Sequence, residues 1–196
     1  MLLKMKSLGP LRQAEFELGD LTVICGKNNT GKTYATYALY GFLSFWEESF
    51  VPSVSRDKID ILLNEGSLLI ELSEYIKKAD EIISQACEMY SNLFPRIFAS
   101  SEKLFTDAGY EISLSQNEIE LKEEFNKVYG SAKKDQFSIK KGANETLEVS
   151  LLLEREQPSP LQETSLQTSI GKAIKEIIFS SVFPHPFIAS AERTGA

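Results

Sequence analysis

Gly26-Lys27-Asn28-Asn29-Thr30-Gly31-Lys32-Thr33 sets glycine, lysine and a hydroxyl at the spacing G-x-x-x-x-G-K-[ST]. Residues of these types in this order suit one kind of chemistry. Glycines let successive backbone N–H groups turn inward on phosphate oxygens, and a helix that follows presents its positive end to the same anion. Lys32, the charged catalytic group, is then expected to reach the β- and γ-phosphates of a nucleoside triphosphate, and the Thr33 hydroxyl to ligate Mg²⁺. Lys27, Asn28, Asn29 and Thr30 form the middle of the loop and contribute mainly backbone N–H groups, and Tyr34 closes the binding run that begins at Gly26.

Such a loop needs a strand before it and a helix after it. Residues 21–25, LTVIC, form a nearly all-apolar run of the kind that fills a sheet interior. Two alternating segments precede it, LLKMK at 2–6 and AEFEL at 14–18, broken at Gly9-Pro10; Gly19-Asp20 then suits a tight hairpin connection. After the loop, Ala35, Ala38, Leu39, Phe42, Leu43 and Trp46 recur at helical spacing and define a face to lie on the sheet.

The pattern changes near Val51. Leu68, Leu69, Leu72, Ile76, Ala79, Ile83, Ala86 and Tyr90 predict one long amphipathic helix over 67–90, with Ser67 as its N-cap and Pro95 limiting it. A shorter helical piece, RIFASSEKLFTD, follows. The segments YEISLS, NEIELK, QFSIKK and TLEVSLLLE read as strands of an antiparallel meander, with a turn at Gly142-Ala143-Asn144. QPSP at 157–160 is a connector, Ile170, Ala173, Ile174, Ile177 and Ile178 mark another amphipathic helix, and PFIAS at 186–190 reads as a strand returning to the first sheet.

The bulk numbers narrow the classes. With 196 residues, 42% hydrophobic and 25% charged, the chain can bury a real core without staples. A formal charge of -7 argues against a general nucleic-acid sleeve, which needs excess Lys and Arg to displace phosphate counterions. Cys25 and Cys87 suggest neither a disulfide framework nor a metal knuckle, and no apolar run approaches membrane-spanning length, so a reduced, cytoplasmic protein is expected.

KSLGPLRQAEFELGDLTVICGKNNTGKTYATYALYGF resembles the amino-terminal lobe of ABC-type ATPases of the OLD, RecF and SMC kind, also classed with AAA-family ATPases. Asn29, where transporter ATPases usually carry glycine, is similar to the OLD-like branch, and FIASAERTG resembles the P-x-E-R stretch after a core strand in several of these ATPases. The resemblance implies an α/β fold: a P-loop NTPase lobe with a mixed sheet and a helical and antiparallel β insertion. Residues 1–50 would be the ATPase core, 51–160 the insertion, and 161–196 a helix and strand returning to the core. It also implies ATP and Mg²⁺, head-to-head association as a homodimer or higher oligomer, and a setting in DNA repair or phage defence, commonly beside a nuclease effector. The family further needs a Walker B strand, apolar residues ending in Asp and usually Glu. SLLLERE offers Glu154 after an apolar run but no aspartate, and no L-S-G-G signature follows. The chain therefore reads as the amino-terminal part of a longer ATPase, with any chemistry on DNA downstream or in a partner.

Other residues weigh less. Glu192 and Arg193 would follow the returning strand, at the edge where ligands bind in open α/β sheets; a γ-phosphate sensor and a solvated ion pair both fit them. His185, the only histidine, lies between two prolines without catalytic company and reads as a loop residue. The acidic residues from Glu118 to Glu124 alternate with Ile119 and Leu121, as on a solvated strand face rather than a nuclease metal site. KKAD and AKKD lack the Asn or Thr that opens a guanine-reading element, and the resemblance favours adenine. Two alternatives stand beside the ATPase: a nucleotide-responsive regulatory module without hydrolysis of its own, and a small-molecule kinase. The two strands before the loop strand weaken the kinase.

Overall fold

The computed structural model describes residues 1–131, 134–152 and 163–187. Met1–Phe50, Ile83–Ser115 and the described residues from Phe183 onward form one compact unit; Val51–Ile82 and the described part of Gln116–Val182 form a second. Residues 83–115, within the insertion expected from the sequence, thus belong to the unit of the glycine loop, and residues 163–182 to the other.

In the first unit, strand β1 (Leu2–Leu8) pairs antiparallel with β2 (Leu11–Glu17) on one side and with β4 (Gly109–Ser113) on the other, β3 lying in the second unit. Alternation in β1 buries Leu3, Met5 and Leu8, and the ladder sets Leu3 opposite Ile112 and Met5 opposite Tyr110. Helix α1 (Lys32–Glu48) buries Ala35, Ala38, Phe42 and Trp46, four residues of the expected stripe. Phe42 stacks on Tyr110 with ring centres 5.2 Å apart, and meets Tyr90 and Phe183 edge-on. The Tyr90 hydroxyl donates to the Ala38 carbonyl at 2.8 Å, which ties α4 (Ala79–Ser91) to α1 inside this core.

The run at 21–25 is not a strand. Leu21 and Val23 are 84% and 74% exposed, and Ile24 is exposed as well. An apolar strand is stable only where neighbours complete its ladder on both sides, and β2 and β4 occupy both edges of β1. Both described sheets are antiparallel, where a mixed sheet was expected.

In the second unit, α2 (Arg56–Glu65) ends on Gly66, and β3 (Ser67–Glu71), β7 (Thr146–Leu151), β6 (Lys134–Lys141) and β5 (Phe125–Ser131) form an antiparallel sheet in that order. The single helix expected over 67–90 is therefore a strand followed by two helices, α3 (Leu72–Lys77) and α4. Leucines at 68, 69 and 72 satisfy a helical period, but Leu68 and Ile70 face inward opposite Val149 and Leu147 while Leu69 is 67% exposed. Ladder bonds to β7 thus override the helical pattern, and Ser67 is a strand residue rather than an N-cap. The later part of the stripe holds, with Leu72, Ala79, Ile83, Ala86 and Tyr90 buried.

Two strand expectations also change. NEIELK begins within a short 3-10 turn at Gln116–Glu118 and continues as irregular chain, because its backbone bonds to the end of α6 (Glu163–Phe179) instead of to a strand: Lys122 N–H donates to the Ile177 carbonyl at 3.0 Å. YEISLS supplies β4, which joins β1 and not the meander. Helix α6 buries Ile170, Ala173, Ile174, Ile177 and Ile178 as expected. α5 (Phe94–Ile97) is a single turn. Of the returning strand, Pro186 and Phe187 lie in irregular chain with Phe187 90% exposed, and residues 188–190 are outside the described ones. No helix among the described residues is long and apolar enough to cross a membrane.

Candidate functional site

The glycine loop turns sharply because three of its residues take positive φ: Gly26 at 151°, Asn29 at 64° and Gly31 at 88°. Asparagine is among the few side chains that tolerate the left-handed region, which accounts for Asn29 standing where a glycine would also serve. Gly31 is the N-cap of α1, and no side chain caps the helix. Its first turn carries no acidic residue either. The first backbone N–H groups of this 17-residue helix, at the positive end of its dipole, thus meet neither a side-chain cap nor a first-turn carboxylate. Residues 26–30 are exposed.

Lys32 reaches back over the loop. Its Nζ donates to the Gly26 carbonyl at 2.8 Å and to the Lys27 carbonyl at 2.5 Å, which holds the ammonium at the loop mouth with a third proton still to donate. Thr30 Oγ1 donates to the Lys27 carbonyl at 2.9 Å and fixes the bend from within. Thr33 is exposed at the second helical position, one residue beyond the lysine. The donor set fits a polyphosphate: amides, an ammonium and a hydroxyl, with no carboxylate in the helix's first turn.

The model of the AAA ATPase domain family matches residues 2–191. The chain belongs to that family. No curated protein and no solved structure matches it. An AAA ATPase domain is a nucleotide-binding ATPase.

Glu154, Glu192 and Arg193 lie outside the described residues. His185 sits in irregular chain, its Nδ1 2.5 Å from Glu47 Oε1 at the far end of α1 from the loop. Among the described residues no group of three His, Cys, Asp or Glu side chains could hold a metal ion, the acidic run from Glu118 to Glu124 included.

What sequence reasoning missed is the support behind the loop. A Cβ at Gly31 would lie 3.0 Å from Leu11 Cβ, so the start of β2 packs tightly on the helix start, and the φ of 88° at Gly31 favours glycine there. The Tyr34 ring leaves the loop and stacks on Phe98, 5.1 Å between centres and 17° between planes. Gly9-Pro10 was legible as a turn, but no short-range pattern connects it to residues 31–34.

Proposed function

We propose that this AAA ATPase domain is the ATP-binding lobe of an ABC-type ATPase of the OLD/RecF/SMC kind, whose nucleotide-driven head association controls a DNA-related process such as phage defence or DNA repair beside a nuclease effector. The observation that carries the nucleotide reading is the uncapped start of α1 behind a positive-φ loop, with Lys32 held across its mouth. The amides of Gly31 to Tyr34 would bind phosphate oxygens, and the Lys32 ammonium would exchange a loop carbonyl for a β- or γ-phosphate oxygen. Thr33 would hold Mg²⁺, which supplies charge neutralisation at the phosphates when bound. DNA repair, phage defence and the nuclease rest on the sequence resemblance alone.

A second reading is a nucleotide-responsive module without hydrolysis of its own, favoured by the lack of an apolar strand ending in Asp-Glu in this sequence. Phosphate release by the purified chain, measured at saturating MgATP, separates the two. ATP binding with release no faster than that of Lys32→Ala is expected of an isolated lobe. Robust Lys32-dependent release would contradict the need for a further lobe and exclude the non-hydrolysing module.

A further inference from the structure

We propose that the turn between β1 and β2 is a positioning element for the phosphate loop, gripping the start of α1 through Gly9 against Tyr34 and Leu11 against Gly31; this rests on the nucleotide-binding reading above. Gly31 and Tyr34 are the N-cap and third residues of α1. Between them stand Lys32 and Thr33, the two side chains assigned to phosphate and metal. The turn therefore touches the helix on both sides of its working residues.

The contacts are close enough to fix a register. A Cβ at Gly9 would lie 2.4 Å from Tyr34 Cε1 and 2.8 Å from Cδ1, so the aromatic ring rests on backbone that only glycine leaves open. Gly9 also holds a φ of 59°, and Ser7, two residues earlier, holds 52°. A non-glycine residue in the left-handed region is uncommon, and here it shapes the turn that meets the loop. On the opposite side, a Cβ at Gly31 would lie 3.3 Å from Leu11 Cα, part of the backbone itself. Phe98, stacked on Tyr34, stacks in turn on Phe105 and meets the fully buried Phe94 edge-on, which anchors the grip to the core of the same unit.

A helix start pinned at its N-cap and third residues can neither rotate nor slide, since each residue advances 100° and about 1.5 Å along the axis. Without the pins the amides, Lys32 and Thr33 would explore positions about an ångström from those that suit a phosphate, a displacement able to cost up to about a hundredfold in a positioned site. Tyr34 and Gly9 are thus positioning residues, acting through Lys32 and Thr33.

The test measures ATP affinity by isothermal titration on the full chain and on Gly9→Ala, Tyr34→Ala, Tyr34→Phe, the double variant Gly9→Ala/Tyr34→Ala, and Phe98→Leu. Lys32→Ala is the control. Each is titrated well below its own unfolding midpoint, so a role in stability alone leaves affinity unchanged. Gly9→Ala and Tyr34→Ala are each expected to bind about tenfold more weakly, Tyr34→Phe to recover most of that loss, and the double variant to bind no more weakly than Tyr34→Ala. Wild-type affinity in Gly9→Ala and Tyr34→Ala overturns the proposal, as does a full loss in Tyr34→Phe. Should Gly9→Ala or Tyr34→Ala not fold, Phe98→Leu decides, a loss of about threefold supporting the grip and wild-type affinity overturning it. If Lys32→Ala loses ATP while the grip variants keep it, only this inference falls. If Lys32→Ala also binds as the wild type, the nucleotide site itself is misassigned.

Discussion

The helix that follows the glycine loop is tied to the core by its buried face and by a buried hydrogen bond from Tyr90, and a double-mutant cycle at Tyr90 and Gly41 tests that bond. Tyr90→Phe removes the hydroxyl that donates to Ala38 at 2.8 Å while the ring keeps its places beside Phe42 and Tyr110. The Ala38 carbonyl retains its partner within the helix, so the loss should be about 1 kcal/mol. Gly41→Ala would ordinarily gain about 1 kcal/mol in helix propensity. Here the new Cβ would lie 2.5 Å from the Tyr90 hydroxyl oxygen. Overpacking of that kind costs roughly 1–3 kcal/mol, which leaves a net destabilisation of about 1 kcal/mol. Once the hydroxyl is gone, the nearest ring atom to that Cβ is Cζ at 3.4 Å, an ordinary contact. The double variant should therefore return close to wild-type stability, with a coupling of about 2 kcal/mol. Trp46, the sole tryptophan and buried in the same unit, gives the fluorescence to follow. Each single variant should melt about 2 to 4 °C lower and the double near the wild type. Additive single effects, within about 0.5 kcal/mol, would refute the reasoning.

Further outcomes follow from the same geometry. Thr33→Ala should weaken ATP binding more in Mg²⁺ than in EDTA, and equal losses in the two titrations would contradict a metal role for that hydroxyl. Cys25 is exposed and Cys87 is buried, its thiol pushed up to about 12 by burial, so a disulfide reagent at pH 8 should modify one thiol in the native chain and the second only after unfolding. Rapid modification of both would contradict the packing around Cys87. Burial raises the pKa of Glu176, but the hydrogen bond and charge of Lys122, with Lys127 beside it, outweigh that and hold the carboxyl below its ordinary 4.5. A lowered folded pKa contributes stability above the unfolded value that is lost as pH falls through the folded one. The wild-type melting midpoint should thus fall more steeply than that of Glu176→Gln below about pH 4.5, and parallel curves would show that this cluster is solvated.

Local signals carried furthest from the sequence. The helix after the glycine loop and its stripe depend on residues within a few turns of one another, and the structure shows that helix with Ala35, Ala38, Phe42 and Trp46 of the stripe buried. Features that depend on distant partners were harder to see. Residues 67–71 satisfy a helical period and a strand alternation equally, and only β7, some eighty residues on, decides between them. The strand β5 was missed because Asn126, Lys127 and Gly130 blur its alternation and its ladder with β6 shifts register between Tyr129 and Gly130. The run at 21–25 is as apolar as a core strand, yet burial is a property of neighbours, and β1 gives both edges to β2 and β4. The grip of the β1–β2 turn on Gly31 and Tyr34 was equally invisible, because two glycines more than twenty residues apart mark it only through what a side chain would strike.

The central claim is that residues 26–34 bind the phosphates of ATP with Lys32 at their mouth. Calorimetric titration of MgATP into the wild-type chain and Lys32→Ala tests it most directly. Saturable binding by the wild type and affinity at least tenfold weaker in Lys32→Ala, the loss of a charged hydrogen-bond donor worth about 1.5 kcal/mol or more, is the predicted result. Equal affinity in the two proteins, or no binding by the wild type, would contradict the account.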